Sequence, residues 1–232
     1  MMKKRLLSVL LCASLLLSLC ACAAERHDLL HEVNVAPFTF CVRGRGTRAK
    51  QVVVKSGDEL ILAEKIKVAK DVGAMGGTYG LEVLDLNFDG HVDFMIANGV
   101  GGDEVSYLCW LYDPTSGTFA RSAVLSGLCN IQVNTELKAI FAFSHTYVSE
   151  KAYEDVPASH TSTDTSIKYL WKDGKLIPSI RASVSYYSAS NLYCYSVSYY
   201  DEELGKYTDS DDKWLTPEEY ASYDMSFLYY FK

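Results

Sequence analysis

Apolar and polar positions alternate with a period of two through much of this chain, interrupted at short intervals by Gly, Pro, Asn and Asp. That period puts successive side chains on opposite faces of a strand. Residues 33–42 alternate loosely. Residues 51–54 and 59–62 are short β-rich runs joined by Lys55-Ser56-Gly57-Asp58, which has hairpin-turn chemistry. A glycine-bearing connection at 73–78 leads into residues 80–84. Val92, Phe94 and Ile96 then alternate with Asp93, Met95 and Ala97, and residues 98–102 read as a turn. A strand rich in Tyr, Trp and Leu follows at 105–112. Asp113-Pro114-Thr115-Ser116-Gly117 closes it, because proline presets φ and glycine admits positive φ. Residues 119–125 and 137–144 are the next expected strands.

Residues 167–171 and the run from Leu176 onward form a hairpin on Asp173-Gly174. Residues 181–187 and 192–200 alternate Ser with Tyr and Val. Thr216-Pro217-Glu218-Glu219 has the cap, the first-turn proline and the acid of a helix start, and the helix ends near Tyr223. The pattern predicts a mainly β fold of antiparallel sheets built from hairpins. It is β-sandwich or partial-propeller-like, with one short C-terminal helix.

The N-terminus departs from this pattern. Lys3, Lys4 and Arg5 precede an apolar run at 6–19, too short for the ~20 residues that span a bilayer and typical of a signal peptide. Leu19-Cys20-Ala21-Cys22 has the form of a lipobox with Cys22 as the lipidated residue, and ordinary cleavage near Ala23-Ala24 and an uncleaved anchor are the rivals. The expected organisation is a lipoprotein signal at 1–21, a polar tether at 22–32 and one β-domain at 33–232. The expected location is the bacterial cell envelope, with the membrane reached only through the N-terminal lipid.

Removing the signal leaves 19 Lys and Arg against 29 Asp and Glu, a net of −10. So acidic a chain has no electrostatic basis for gripping phosphate backbones, which argues against nucleic acid as a partner. Cys41, Cys109, Cys129 and Cys194 remain, as two disulfides of unassigned pairing or as free thiols. No Cys-x-x-Cys pair is present to suggest zinc or redox chemistry.

The most informative stretch is Asp85-Leu86-Asn87-Phe88-Asp89-Gly90-His91-Val92-Asp93, set between two apolar strands. Oxygens at alternate positions of a tight loop converge on one point. Gly90 permits the sharp bend that turns the His91 carbonyl inward. The expected ligand set is Asp85, Asn87, Asp89, His91 through its carbonyl, and Asp93. All-oxygen donors suit Ca²⁺, held structurally. An EF-hand is excluded, since its twelfth position here is Ile96. A plain Asp-Gly hairpin turn explains Asp89-Gly90 but not the other acids.

The loop with Phe94, then Gly101-Gly102, Tyr107, Trp110, Tyr112-Asp113-Pro114, Gly117, Phe119, Leu125-Ser126 and Asn130, resembles a family of bacterial cell-envelope lipoproteins with a single FG-GAP-like calcium loop. Some members are immunity proteins that inhibit peptidoglycan-cleaving effectors, and they are similar in fold to lysozyme inhibitors. The resemblance implies calcium, an envelope location and a cell-wall hydrolase as partner. It spans about 50 residues well, and no inhibitory loop transfers residue by residue.

No nucleophile elbow, metalloprotease motif or phosphate-cradling loop is present, so a non-enzymatic binding protein is expected. His145 and His160, Asp209, Asp211 and Asp212, and Glu150 and Glu154 are weaker constellations with ordinary surface readings. Fourteen of the 17 tyrosines lie between Tyr147 and Tyr230. Tyr186, Tyr187, Tyr193, Tyr195 and Tyr199 are a candidate recognition surface for a protein or a glycan, with strand preference for aromatics as the plain alternative. Adjacent tyrosines face opposite sides, so at most one of each such pair can share a surface.

Overall fold

Short glycine turns between β-branched and aromatic runs close this chain into three antiparallel sheets. The computed structural model describes residues 27–69, 72, 77–102, 104–150, 159–208 and 212–223. The first sheet is the meander β1 (Asp28–Val35), β2 (Phe38–Arg45), β3 (Arg48–Ser56) and β4 (Glu59–Lys65). The second is the meander β5 (Glu82–Leu84), β6 (Asp93–Gly101), β7 (Glu104–Asp113) and β8 (Thr118–Arg121). Each has the strand order of a propeller blade.

After a 3-10 turn at Leu125–Gly127 come β9 (Gln132–Asn134), β10 (Ala139–Glu150), β11 (Ser159–Lys172), β12 (Lys175–Tyr187), β13 (Leu192–Asp201), β14 (Lys206–Tyr207) and β15 (Lys213–Leu215). They form the third sheet in the order β14-β13-β12-β11-β10-β9, with β15 also paired to β13. The fold is mainly β, as expected, and the sheets do not close into a barrel. One short helix, α1 (Pro217–Ser222), lies near the C-terminus. Its capping box joins the Thr216 hydroxyl to the Glu219 amide and the Glu219 carboxylate to the Thr216 amide.

The first two sheets share one core. Phe40, Val42 and Val54 meet Phe94, Ile96, Trp110 and Phe119, all nearly or fully buried. Phe94 and Trp110 stack with ring centroids 4.6 Å apart. Ile140, Tyr169, Trp171 and Leu176 bring the base of the third sheet into this core. Its far part has a smaller cluster of Ala182, Val184, Tyr195 and Leu215, covered by Tyr220 and Tyr223 around α1.

Several boundaries differ from the sequence reading, among them the start of β11 at Ser159, where residue 167 was expected. The expected strand at 33–42 is a hairpin broken at Ala36 and Pro37, and β1 starts at Asp28, inside the expected tether. The turn expected at 98–102 is confined to its end. β6 runs through Gly101, absorbing a register shift between Ala97 and Gly99. The strand expected at 119–125 stops at Arg121. The one expected at 137–144 starts at Ala139 and continues to Glu150.

Candidate functional site

The acidic loop joins β5 to β6, strand to strand. Leu86 is wholly buried and anchors the loop in the main core. Phe88 and Gly90 take positive φ, 60° and 88°. At Gly90 the left-handed backbone is what requires glycine, since a Cβ there would meet nothing. The Asp85 carboxylate accepts from the Asp89 amide (3.2 Å) and the Gly90 amide (2.9 Å). Asn87 Nδ2 donates to Asp89 Oδ2 (2.8 Å), and Asp89 Oδ1 accepts from the His91 amide (2.8 Å).

Asp93 behaves differently from the other acids. It is fully buried, and its two oxygens accept from the Leu86 and Tyr112 amides, each at 2.8 Å. The loop is thereby tied to β7. A third tie comes from β11, where Trp171 Nε1 donates to the Leu86 carbonyl at 2.8 Å. Burial pushes the Asp93 carboxyl up to about 7; the two amides oppose the shift, and Asp89 and Asp85 add to it.

Among the described residues, no group of three or more His, Cys, Asp or Glu side chains is arranged to hold a metal ion by those groups alone. The expected set also draws on the Asn87 amide oxygen and the His91 carbonyl. Its chemistry fits Ca²⁺: every donor is a hard oxygen, and a carboxylate oxygen that accepts one N–H keeps further lone-pair capacity. The His91 ring is no part of the set and lies against Tyr112, centroids 5.7 Å apart.

The five candidate tyrosines are divided between the two faces of the third sheet and between buried and exposed positions. Tyr186 and Tyr193 are cross-strand partners with ring centroids 4.9 Å apart. Tyr187 points to the opposite face and packs on Trp214 at 5.2 Å. Tyr195 is buried, with its ring 5.5 Å from that of Tyr223. Tyr199 is exposed.

The structure brings three further rings to Tyr186 and Tyr193. A row runs from Tyr147 on β10 through His160 on β11 to Tyr186 and Tyr193, and ends on Tyr220 of α1. The Tyr193 and Tyr220 rings stack at 3.9 Å and 3°, so each covers a face of the other. That Tyr147 and His160 meet was hidden from sequence, because it depends on the β10–β11 register, which pairs Tyr147 with Ser162 and Ser149 with His160.

The same end of β10 runs past β9. β9 covers only Ala139–Phe141. The Phe143 amide then donates to the Cys129 carbonyl, and the His145 amide to Glu104. No described strand pairs with this edge beyond Phe141. Tyr147 is 59% exposed and Val148 54%.

His145 Nδ1 lies 2.8 Å from Asp164 on the neighbouring strand, both exposed. A cleft of about 340 Å³ is lined by Tyr107, Asn130, Ile131, Gln132 and Phe143. Asp212 accepts from Ser196. Cys41, Cys109, Cys129 and Cys194 are free thiols. The signal, Cys22, Glu154, Asp209 and Asp211 lie outside the described residues, as does the Glu150 side chain.

No family model and no curated protein matches the chain. Among solved structures it is similar to one described as "Structure of a Xanthomonas Type IV Secretion System related protein", with a TM-score of 0.47 and 14% identity, over 79% of this chain and 97% of that one.

Proposed function

We propose that the protein is an exported, lipid-anchored and calcium-stabilised binding protein of the bacterial cell envelope, not an enzyme, and that its partner is another protein. The observation that carries this reading is the exposure of Tyr147 and Val148 on the part of β10 that no described strand covers. Such edges are liabilities that proteins blunt unless a partner uses them. Strand addition by an extended segment satisfies the backbone while side chains on alternate faces set specificity. The family resemblance supplies the partner class, a peptidoglycan-cleaving hydrolase that this protein inhibits.

Added protein is expected to slow peptidoglycan cleavage by a muramidase recovered with it from envelope extracts. Tyr147→Lys with Val148→Lys should abolish both recovery and inhibition while leaving the melt unchanged. Undiminished inhibition by that variant removes the edge from the account. Failure to inhibit any of several muramidases removes the hydrolase.

Calcium's role in this reading is to cross-link the loop, with Asp85, Asn87, Asp89, the His91 carbonyl and Asp93 as its holders. Extracellular sites of this kind bind at Kd ~10⁻⁴–10⁻³ M. Chelator should lower Tm and millimolar calcium should restore it, more so than magnesium. A melt indifferent to both ends the calcium reading.

A glycan is the second reading, favoured by Trp214, 53% exposed and backed by Tyr187. Against it, the longer ring row stacks on itself instead of presenting open faces side by side. Glycan-array binding that is lost in Trp214→Ala would establish it.

A further inference from the structure

Charge is unevenly placed along the chain. Residues 43–70 carry eight Lys and Arg against three Asp and Glu, whereas residues 71–232 carry ten against 23. Antiparallel register gathers the cations at one end of the first sheet. Arg45 is paired with Arg48 across the Gly46-Thr47 turn, Arg43 and Lys65 both pair with Gln51, and the Ile66 amide donates to the Lys50 carbonyl. With Lys67 next along the chain, six cations share this end. Asp58 and Glu59 sit at the opposite end, beside the β3–β4 turn.

Arg45, Arg48, Lys65 and Lys67 are exposed. Among the described residues none of the six forms an ion pair. Like charges directly opposed across a strand pair destabilise it. This tip keeps such a pair, with Asp28 opposite Gly44 as the acid paired at the same end and no ion pair among the described residues, as a surface built for an external anion does.

The anion's identity follows from where the chain enters the sheet. Asp28 pairs with Gly44 and Leu29 with Arg43, so β1 begins at the basic end. Cys22 stands six residues before Asp28, a reach of at most about 20 Å. If Cys22 carries the lipid, this end is the part of the domain held nearest the bilayer.

We propose that the basic end of the first sheet is a membrane-facing surface that docks on anionic phospholipid headgroups. The inference rests on the lipid-anchor reading for its geometry but not for its charge. The lipid alone fixes a distance. The basic end fixes which face of the domain meets the membrane, because the acidic remainder is repelled from the same surface. The binding edge on β10 is then presented in a set direction.

The test uses the chain from Ala23 onward, which keeps every described element and lacks the acylation site. It is co-sedimented with vesicles of phosphatidylcholine alone or mixed 3:1 with phosphatidylglycerol. Binding is expected only to the mixed vesicles and should be lost at 1 M salt, where the Debye length is about 3 Å. Each cation contributes roughly fivefold to partitioning. Arg45→Glu with Arg48→Glu, a change of four charge units, should therefore reduce it by on the order of 600-fold, and Arg45→Gln with Arg48→Gln by about 25-fold.

Lys172→Glu with Lys213→Glu changes net charge equally but lies elsewhere, and should leave binding intact. Equal binding to both vesicle types, or equal loss in the Lys172/Lys213 variant, overturns the proposal. Palmitate incorporation into the full chain, compared with Cys22→Ala, reports separately on the anchor. A failed anchor and a failed surface thus give different results.

Discussion

Asp93 shows how one side chain serves two structures at once. Its oxygens hold the Leu86 amide at the start of the loop and the Tyr112 amide of β7, so replacing it leaves two buried donors without acceptors. At ~1–3 kcal/mol for each orphaned group, Asp93→Ala should cost roughly 2–5 kcal/mol in urea denaturation. Asp93→Asn, which keeps one acceptor, should fall between it and wild type.

A different titration governs the alkaline limb. Burial pushes the Cys109 thiol up to about 12 and the Tyr207 hydroxyl likewise to about 12. The folded chain therefore keeps protons that the unfolded chain gives up above about pH 9–10. Stability from these groups is fully present below pH 9 and declines as pH rises toward 12. Urea midpoints at pH 8 and 10.5 should show the fall, and Cys109→Ala should lessen it.

The spacing of Asp85, Asn87, Asp89 and Asp93 was legible in sequence because the side chains of one loop follow one another locally. That Asp93 turns inward to β7 was not legible, since it depends on a strand pairing 19 residues away.

At the scale of elements, turn chemistry carried furthest. Gly57-Asp58, Asp113 to Gly117, Asp173-Gly174 and the Thr216 capping box all fall where their residues place them. Long-range pairing and changes of phase did not show. The apolar set moves from Val33 and Val35 to Phe38, Phe40 and Val42, and that switch, with Pro37 at its centre, was the available signal for the β1–β2 hairpin.

Between elements, Glu64 of β4 joins the first two sheets: its carboxylate accepts from Trp110 Nε1 at 2.6 Å and from Arg121 at 2.7 Å. The ion pair is a third exposed and contributes little. Glu64→Ala should still cost about 1–3 kcal/mol, because it orphans the indole N–H of a fully buried ring. Gly44→Ala should be more damaging, since a Cβ there would run into the Arg48 carbonyl oxygen at the base of the basic tip.

Across the whole molecule, the two apolar clusters differ greatly in size. The main one draws on all three sheets, whereas the outer one rests on four buried residues and the cover of a six-residue helix. Amide exchange should follow that difference, with β6 and β7 protected longest and β13 with β15 opening first. Uniform protection of both would show that the outer part is held by more than this cluster. Sheet type and hairpin content were legible from period alone. The split of adjacent tyrosines between two faces was legible too, whereas which rings meet across strands was not, because that depends on which strands lie side by side.

The bond from Trp171 to the Leu86 carbonyl also makes the acidic loop optically audible. Of the three indoles, Trp110 sits sealed within the core and Trp214 faces water, so only Trp171 has its ring nitrogen fastened to the loop backbone. Intrinsic emission from a Trp214→Phe chain, titrated with calcium, would then follow the loop without any attached dye.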